Sequence, residues 1–459
     1  MLKIYNFLSR KLENFEPIDS SNVGLYTCGP TTYDFVHIGN LRTFIFEDIL
    51  QRVLETNKYE VKRVMNITDI DDKIIRGARE KGLGIREFSK PYEEAFSKDL
   101  EKLNIKSANV YPKATEHIGH MIKYIEELIK KGLAYVEKDG SVYFDISKFP
   151  DYGRLSGLEG RTIKVGARVK ADEYTKDDVS DFALWKAVNA EEVGFNSPWG
   201  RGRPGWHIEC SVMSQEYLGQ TFDIHAGGVD LIFPHHENEI AQSEGKTSHK
   251  FVNFFIEGEH LLVNGQKMAK SAGNFYKLKD LEAKGFDPLV FRYLCLTAHY
   301  RDKLNFTWES LKAAQNALNN LREFIRDWEE PKIARLQMSE HSDGGQGCAE
   351  FEQKFMDAVN NDLNMPQALA VMWDMVKSDY PSSAKAKTLL EMDKILGLKL
   401  DEYLGKKIEI TEEVRKLIDK REQVRKSGDY KQSDKLRHEI KKLGYDIEDT
   451  PEGPRVKRI

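Results

Sequence analysis

Apolar residues recur at two different spacings along the first part of the chain, and together these spacings predict a parallel α/β sheet. The run Val23–Cys28 is mostly apolar and predicts a short buried strand. After the turn-rich segment 29–34, apolar residues return at helical spacing as far as Val53, and 61–68 predicts the next strand. Strand, helix and strand at these distances fit a parallel βαβ unit with a right-handed crossover.

The pattern changes twice beyond that unit. It is helical between about 85 and 135, and it then predicts short strands from 141 to about 190, which we interpret as an insertion. The sheet is expected to resume at 222–228 and 252–258, since both are apolar runs that end in glycine. Beyond about 310 amphipathic helical patterns dominate, so the last third of the chain is predicted to be all-helical.

Composition narrows the class of protein. The chain has 459 residues, 40% of them hydrophobic and 31% charged, which indicates a globular protein of about three domains. The net charge of −5 does not by itself indicate a nucleic-acid binder, so any basic face has to be local. No apolar run approaches the ~18 to 20 residues of a membrane span, and the N-terminus lacks a secretory signal. We therefore expect a cytoplasmic protein.

The cysteine count supports the same expectation and limits what a thiol can do. Four cysteines, at 28, 210, 295 and 348, are too few for a disulfide framework in a chain of this length. A cysteine with a function here is therefore expected to be a ligand or a nucleophile.

A first candidate motif lies where the predicted helix begins. It is His37-Ile38-Gly39-Asn40, and a helix N-terminus favours anions through its unpaired N–H groups and its dipole. Gly39 would let an adenine ring approach the backbone, and His37 and Asn40 can donate hydrogen bonds to phosphate oxygens. A four-residue match is weak by itself, and a histidine that only caps the helix is the alternative interpretation.

A second candidate motif is a lysine-rich loop. Lys267-Met268-Ala269-Lys270-Ser271 lies in the Gly- and Asn-rich stretch NGQKMAKSAGN, where two lysines three residues apart have no core to pack against. Such a loop can move and bring positive charge. Lysines on the far side of a reacting phosphate from the histidine would spread its charge in the transition state.

The two motifs together resemble the HIGH and KMSKS signatures of class I aminoacyl-tRNA synthetases. Two positions depart from those signatures, since Asn40 and Ala269 replace the usual residues, and neither change removes a phosphate-binding group assigned above. The segment HAGGVDL, 225–231, also resembles a class I element. The resemblance implies that Gly227 and Gly228 approach the adenosine and that Asp230 binds a polar group such as the ribose or the amine.

A metal site is the third candidate. Pro234 suits the first turn of a helix, so His235 and Glu239, four residues apart, project from one face and can bind one ion. With Cys28 and Cys210 they make a donor set typical of zinc. Spacing alone leaves the alternatives open. The cysteines lie far apart and can be buried structural residues, and His236 is a rival ligand.

A closer resemblance, to the cysteinyl-tRNA synthetase family, spans essentially the whole chain. CGPT, GWHIECS, FPHHENE and the lysine loop occur in that order, followed by EDTPEGPR near the C-terminus. The resemblance implies one zinc ion at the bottom of the amino-acid pocket, bound to the substrate thiol. The residues that it assigns to zinc are Cys28, Cys210, His235 and Glu239, and those that it assigns to the substrate are Cys28, Gly29, Thr68 and Trp206.

The implied activity is activation of L-cysteine with ATP and Mg²⁺ to cysteinyl adenylate, followed by transfer to the 3′-terminal adenosine of tRNA(Cys). Zinc prefers a thiolate to a hydroxyl, so serine is rejected without an editing step. The family is usually monomeric. The residues implied in catalysis are His37, Asn40, Lys267 and Lys270, and those implied in ATP binding are His37, Gly39, Asn40, Gly227, Gly228, Asp230 and Lys270.

The resemblance also implies a fold and a domain order, namely an α/β, Rossmann-type parallel-sheet catalytic domain with an inserted connective domain, followed by an α-helical C-terminal region. The expected bounds are 1–114 and 196–258 for the catalytic domain, 115–195 for the connective insertion without editing activity, 259–310 for the mobile lysine loop and stem-contact region, 311–400 for a helical bundle, and 401–459 for a small anticodon-binding domain.

A local basic face supports the last of these domains. Residues 421–442 contain eight Lys or Arg and four Asp or Glu, with Tyr430 beside them as a stacking surface. A solvated helix face is the alternative interpretation.

Two rival functions and one rival metal site are weighed against this interpretation. A ligase that transfers cysteine to a small amino-sugar acceptor predicts a shorter, less basic C-terminal region, and a zinc-stabilised RNA-binding or regulatory protein predicts loss of the phosphate-binding groups. Residues 400–459 argue against the first rival, and the presence of His37, Asn40, Lys267 and Lys270 argues against the second. The acidic residues Asp69, Asp71 and Asp72 could bind a metal, but an Asp-rich turn that caps a helix is favoured.

Overall fold

The computed structural model describes residues 1–158, 168–169, 180–268, 273–329, 347–406, 408, 410–450 and 453–458. They divide into two compact units. The first comprises Met1–Gln315, Gln353–Met372 and Lys394–Leu398, and the second comprises Asn316–Glu352, Trp373–Asp393 and Lys399–Ile459. In the described part of the chain, no helix combines the length and the apolar character needed to cross a membrane.

The first unit opens with a hairpin and a crossover unit. Strands β1 (Lys3–Asn6) and β2 (Lys11–Asn14) pair antiparallel. The next elements are β3 (Asn22–Thr27), α1 (Ile38–Thr56), β4 (Glu60–Met65), α2 (Asp72–Lys81) and α3 (Ile85–Lys102). Strands β3 and β4 pair in parallel across α1, as predicted, although each ends one to three residues earlier than the apolar pattern indicates.

The inserted segment has its own sheet. It contains α4 (Ile118–Lys130), β5 (Ala134–Val136), β6 (Val142–Phe144), β7 (Arg168–Val169), β8 (Asp181–Ala187), β9 (Phe195–Ser197) and β10 (Gly200–Pro204). The strand order is β5-β6-β8-β10-β9, and β7 also pairs with β8. Strands β6, β7 and β8 fall in the range from 141 to about 190 where the sequence predicts short strands, whereas β5 precedes that range and β9 and β10 follow it. Residues 159–167 and 170–179 of the expected connective segment lie outside the described residues.

The central sheet is completed after the insertion. Its elements are α5 (Trp206–Leu218), β11 (Phe222–Gly228), α6 (Glu237–Thr247) and β12 (Val252–Gly258). The order β12-β11-β3-β4 is parallel throughout. Every residue of β11 is buried, as expected for a parallel strand covered on both faces by helices.

The chain then forms a second small sheet and a series of helices. The sheet order is β14-β13-β15. The bounds of these elements are β13 (Leu261–Val263), β14 (Gln266–Lys267), α7 (Leu278–Ala283), α8 (Pro288–Leu296), β15 (Leu304–Phe306), α9 (Trp308–Arg326), α10 (Ala349–Val359), α11 (Met365–Lys377) and α12 (Ser382–Leu396).

The C-terminal end corrects one expectation. After α13 (Glu412–Lys426) and α14 (Tyr430–Lys442), the chain forms an antiparallel hairpin of β16 (Tyr445–Thr450) and β17 (Gly453–Arg458), so the last third is not all-helical. Alternate residues of β16 are buried, with Tyr445 and Ile447 packed in one cluster with residues of α13 and α14. This period-two pattern covers only a few positions, which is why the surrounding helical patterns obscured it.

Candidate active site

Most of the predicted site residues lie at the carboxyl edge of the parallel sheet. Strands β3 and β11 are hydrogen-bonded neighbours, with Thr27 opposite Ala226, so the segments that follow them emerge side by side. A cleft of about 270 Å³ opens there. Its lining includes residues of the first candidate motif and of the candidate metal set, among them Cys28, Gly29, His37, Asn40, Trp206, Cys210, Gly228, Asp230 and His235.

Helix α1 presents two hydrogen-bond donors at one end of this cleft. His37 is its N-cap, and the backbone N–H of Asn40 donates to His37 Nδ1 at 3.1 Å. In return the backbone N–H of His37 donates to Asn40 Oδ1 at 3.3 Å. Because Nδ1 is an acceptor, the proton of a neutral ring lies on Nε2. His37 can therefore cap the helix and also bind phosphate, because the cap leaves His37 Nε2–H and the Asn40 amide as donors.

The start of the lysine loop contacts the same helix. A Cβ atom added at Gly39 would meet the flexible end of the Met268 side chain and would lie 2.9 Å from His37 Nδ1, so glycine leaves room for both side chains beside α1. The Phe275 ring packs edge-on against His37 at 4.7 Å between centroids. Lys267 is exposed in β14 and is not among the residues that line the cleft. Lys270 lies outside the described residues.

The end of β11 forms another part of the wall. Gly227 and Gly228 are its last two residues, and Gly228 lines the cleft together with the exposed side chain of Asp230. Gly227 is not among the lining residues.

The candidate metal ligands come together beside the cleft, which three of them, Cys28, Cys210 and His235, also line. The ligand atoms of Cys28, Cys210, His235 and Glu239 all lie within 4.8 Å of one another. Cys28 directly follows β3, and Cys210 lies in α5. His235 precedes α6 and Glu239 lies in its first turn, so the four-residue spacing places both on one face. The fold joins residues that are far apart in sequence.

The charges of this set suit a divalent cation. Burial disfavours the Cys210 thiolate, but the hydrogen bond from Cys28 and the charge of His235 outweigh it and lower the pKa of Cys210 to about 6. The His225 and His235 imidazoles overcome the burial of Glu239 and lower its pKa well below the usual range. The hydrogen bond to Cys210 raises the pKa of Cys28, and burial adds to this. Cys210 and Glu239 are therefore anionic at neutral pH, the state in which such groups bind metals.

Hydrogen bonding around the set also fits a metal ion. His235 Nε2 lies 2.8 Å from Glu239 Oε1, and despite burial the Glu239 carboxylate raises the pKa of His235 to about 10. His235 Nδ1 contacts His207 Nδ1 at 3.0 Å, and Glu239 Oε2 contacts His225 Nε2 at 2.6 Å. His207 and His225 thus orient both ligands and leave His235 Nε2 and Glu239 Oε1 directed at each other. Two sulfurs, one imidazole and one carboxylate are a donor set that zinc accepts.

The rival ligand His236 belongs to a second group. It lies with Cys28 and His225 in another cluster of possible ligands, and its Nε2 is 3.8 Å from Cys28 Sγ. Its Nδ1 contacts Glu257 Oε1 at 2.8 Å. His236 and His235 therefore face different partners despite being adjacent in sequence.

The predicted pocket residues differ in exposure. Trp206 is half-buried, lines the cleft and packs on His235 with 4.1 Å between ring centroids. Thr68 is buried and donates a hydrogen bond to Glu209 Oε2 at 2.9 Å, and it is not among the lining residues. Asp71 caps α2, which confirms the capping interpretation of the acidic turn at that residue.

Sequence reasoning missed several residues of the cleft. Lys73, Asn66 and Phe275 line it, and His207 supports His235. The only signal for His207 was its place in the quoted segment GWHIECS, and Lys73 and Asn66 flank the acidic turn in NITDIDDKI. Nothing in their spacing connects them with the motifs, because the contacts arise from the packing of separate elements.

Gly29 allows a specific test of the packing beside Cys28. A Cβ atom there would lie 1.7 Å from the backbone oxygen of Asn66. Gly29→Ala is therefore expected to destabilise the first unit by about 1–3 kcal/mol, the usual cost of overpacking, and calorimetric thermal unfolding measures this. Gly119→Ala is the matched control, since an added Cβ meets nothing within 4 Å there. Equal transition temperatures for the two variants would contradict the prediction.

Comparisons with known proteins define the class. The family model described as "tRNA synthetases class I (C) catalytic domain" matches residues 14–316, and a DALR domain model matches 354–378. The structure is similar to Mycobacterium tuberculosis methionyl-tRNA synthetase in complex with methionyl-adenylate, with TM-score 0.58 and 14% identity over 82% of this chain and 90% of that one. It is similarly close to Agrobacterium radiobacter K84 agnB2 LeuRS, with TM-score 0.58 and 11% identity over 85% of each chain. The fold is that of a class I tRNA synthetase.

Sequence relatives then define the family. The cysteine–tRNA ligase of Chlamydia muridarum is 47% identical over 476 residues, covering 100% of both chains. That of Brachyspira hyodysenteriae is 44% identical over 473 residues, covering 99% of this chain and 98% of its own. The chain belongs to the cysteine–tRNA ligase family.

Family membership settles several expectations. It confirms the predicted family, the predicted enzyme class and the α/β fold with a helical C-terminal region, apart from the terminal hairpin. The amino-sugar ligase is not favoured, because the relatives that match over the full length are tRNA ligases. The domain bounds and the roles of individual site residues stay predictions.

Proposed function

We propose that this member of the family activates L-cysteine with ATP and transfers it to tRNA(Cys), using zinc to select the amino acid. The observation that carries the proposal is a single cleft whose lining contains both the donor-bearing start of α1 and the Cys28, Cys210 and His235 group. The cleft has a volume of about 270 Å³, and one small ligand in it could present a thiol to the Cys28, Cys210 and His235 group and phosphate to the start of α1.

The amino-acid end is proposed to work through its metal ligands. Cys28, Cys210, His235 and Glu239 would hold one zinc ion, which when bound offers a soft acceptor for the cysteine thiolate that a serine hydroxyl does not satisfy. Trp206, packed on His235, limits the size of the side chain that this end admits. Gly29 is proposed to complete the substrate surface, with the buried Thr68 behind it rather than in contact with the substrate.

The phosphate end is proposed to stabilise charge. His37 Nε2–H and the Asn40 amide would donate to oxygens of the ATP phosphates, which arrive with Mg²⁺. Lys267 and Lys270 would add positive charge from the lysine loop. Gly39, Gly227, Gly228 and Asp230 are proposed to bind the adenosine. The substrate carboxylate attacks the α-phosphate directly, so this step needs positioning and charge stabilisation and no protein nucleophile.

The C-terminal region is proposed to bind the tRNA anticodon through residues 401–459, and the other domain bounds predicted above are proposed with it. Tyr430 supports this, because it is 67% exposed and can stack on a base. The basic face is smaller than the sequence count indicates. Arg421 and Arg425 pair with Asp449, and Arg437 pairs with Asp446, so those charges are partly neutralised within this unit.

The expected state is a monomer that works in the cytoplasm. Light scattering coupled to size-exclusion chromatography measures the mass in solution, and a value near 52.9 kDa is the expected result. A mass near twice that value would contradict it.

The decisive experiment is transfer of labelled cysteine to unfractionated tRNA, run beside cysteine-dependent pyrophosphate exchange. The proposal expects both reactions with ATP and Mg²⁺, and it expects stoichiometric zinc by metal analysis. Exchange without charging would favour the small-acceptor ligase. The absence of both reactions would contradict the proposed function.

A further inference from the structure

A series of three hydrogen bonds, two of them buried, joins the backbone beside one candidate thiol ligand to the residue beside the other. The backbone N–H of Gly29, which follows Cys28, donates to Asn66 Oδ1 at 3.0 Å. Asn66 Nδ2 donates to Thr68 Oγ1 at 3.2 Å, and Thr68 Oγ1 donates to Glu209 Oε2 at 2.9 Å. Glu209 directly precedes Cys210 in α5.

The chemistry of the groups indicates which one donates and which one accepts in these hydrogen bonds. The backbone N–H of Gly29 fixes Asn66 Oδ1 as an acceptor, so the amide nitrogen of Asn66 faces Thr68 as a donor. Asn66, Thr68 and Glu209 are each 1% exposed, so water does not compete for the two bonds that join them. The hydrogen bonds therefore run without interruption from the Gly29 N–H to the Glu209 carboxyl group.

The same series of hydrogen bonds connects three separate elements of the fold. Gly29 follows β3, Asn66 and Thr68 follow β4, and Glu209 lies in α5. Strands β3 and β4 are paired, whereas α5 carries Cys210 from a distant part of the sequence. Breaking the Thr68–Glu209 bond would leave a buried carboxylate oxygen without this partner and release one link between the two thiol-bearing segments.

We propose that Asn66 and Glu209 are positioning residues that, through Thr68, set the place of Cys28 relative to Cys210. This inference rests on the proposed metal site and adds residues outside the predicted ligand set. Groups that orient metal ligands typically change metal affinity or activity by about 10–100-fold when they are removed. The expected effect falls on zinc and cysteine and spares ATP, because His37 and Asn40 are oriented by α1 itself.

The test compares two replacements of Glu209. Glu209→Met removes the acceptor at similar length, and Glu209→Gln keeps an oxygen that can accept from Thr68. For Glu209→Met we expect about a tenfold or larger rise in the KM for cysteine in pyrophosphate exchange, with the KM for ATP unchanged. Glu209→Gln is expected to restore most of the cysteine KM.

A second readout avoids the substrate altogether. The full chain loaded with Co²⁺ reports ligand geometry through its visible absorption in the absence of cysteine. Glu209→Met is expected to change that spectrum, and Glu209→Gln to keep it. If Glu209→Met folds poorly, Thr68→Val removes the hydrogen bond to Glu209 at similar side-chain volume. Thr68→Ser keeps the hydroxyl and serves as its control.

The outcomes separate this inference from the proposed function. Wild-type protein that binds no zinc and shows no cysteine-dependent exchange would contradict the proposed function. If the wild type binds zinc but Glu209→Met keeps both the cysteine KM and the Co²⁺ spectrum, the positioning role alone is overturned. Equal losses in Glu209→Met and Glu209→Gln, with the KM for ATP raised as well, would indicate general structural damage and would also overturn it.

Discussion

Replacing Cys28 with serine is expected to lower zinc affinity by more than about 100-fold and to reduce cysteine-dependent pyrophosphate exchange at least as far. The substitution removes one of four grouped ligand atoms, whereas changes to groups that merely orient a ligand already cost about 10–100-fold. It also removes the hydrogen bond that lowers the pKa of Cys210, so the remaining thiol is a poorer anion. Metal analysis and exchange on the purified variant measure both losses.

The matched control is Cys295→Ser. Cys295 is buried in the same unit, and among the described residues it belongs to neither group of possible metal ligands. Burial raises the pKa of its thiol to about 12, so it is a neutral core residue. This variant is expected to keep the zinc content of the wild type. Undiminished zinc and normal cysteine activation in Cys28→Ser would remove Cys28 from the site.

Removal of the His37 ring is expected to lower kcat for exchange by about 10²–10³-fold, with the KM for cysteine unchanged. This is the typical cost of losing one donor that stabilises transition-state charge. His37→Ala also removes the N-cap of α1, which costs about 1 kcal/mol of helix stability. The two effects need separate variants.

His37→Asn separates them, because asparagine is a good N-cap but does not reproduce the Nε2–H donor. We expect His37→Asn to unfold like the wild type and yet to show the same loss of kcat as His37→Ala. Asp287→Ala, which removes the N-cap of α8, controls for a lost cap elsewhere in the first unit. A wild-type kcat in His37→Asn would contradict a direct role for the ring.

Local sequence patterns predicted much of the fold. The apolar runs at 222–228 and 252–258 appear as β11 and β12 with identical bounds, since a strand buried on both faces is a continuous apolar run. The hairpin of β16 and β17 was missed, because its period-two pattern is short and is stabilised by packing on α13 and α14. Strand pairing across the insertion depends on contacts between distant segments.

For the candidate site too, some features follow from the sequence and others only from the tertiary structure. The sequence by itself limited the candidates for binding phosphate or metal to a few residues, because motif composition and helical spacing single out His37, Asn40, His235 and Glu239. Only the tertiary structure decided that Cys28 and Cys210 share one group, that His236 faces Glu257, and that Glu209 reaches Thr68. The physical reason is that these contacts join separate elements at the edge of a parallel sheet, where proximity comes from strand order rather than from sequence separation.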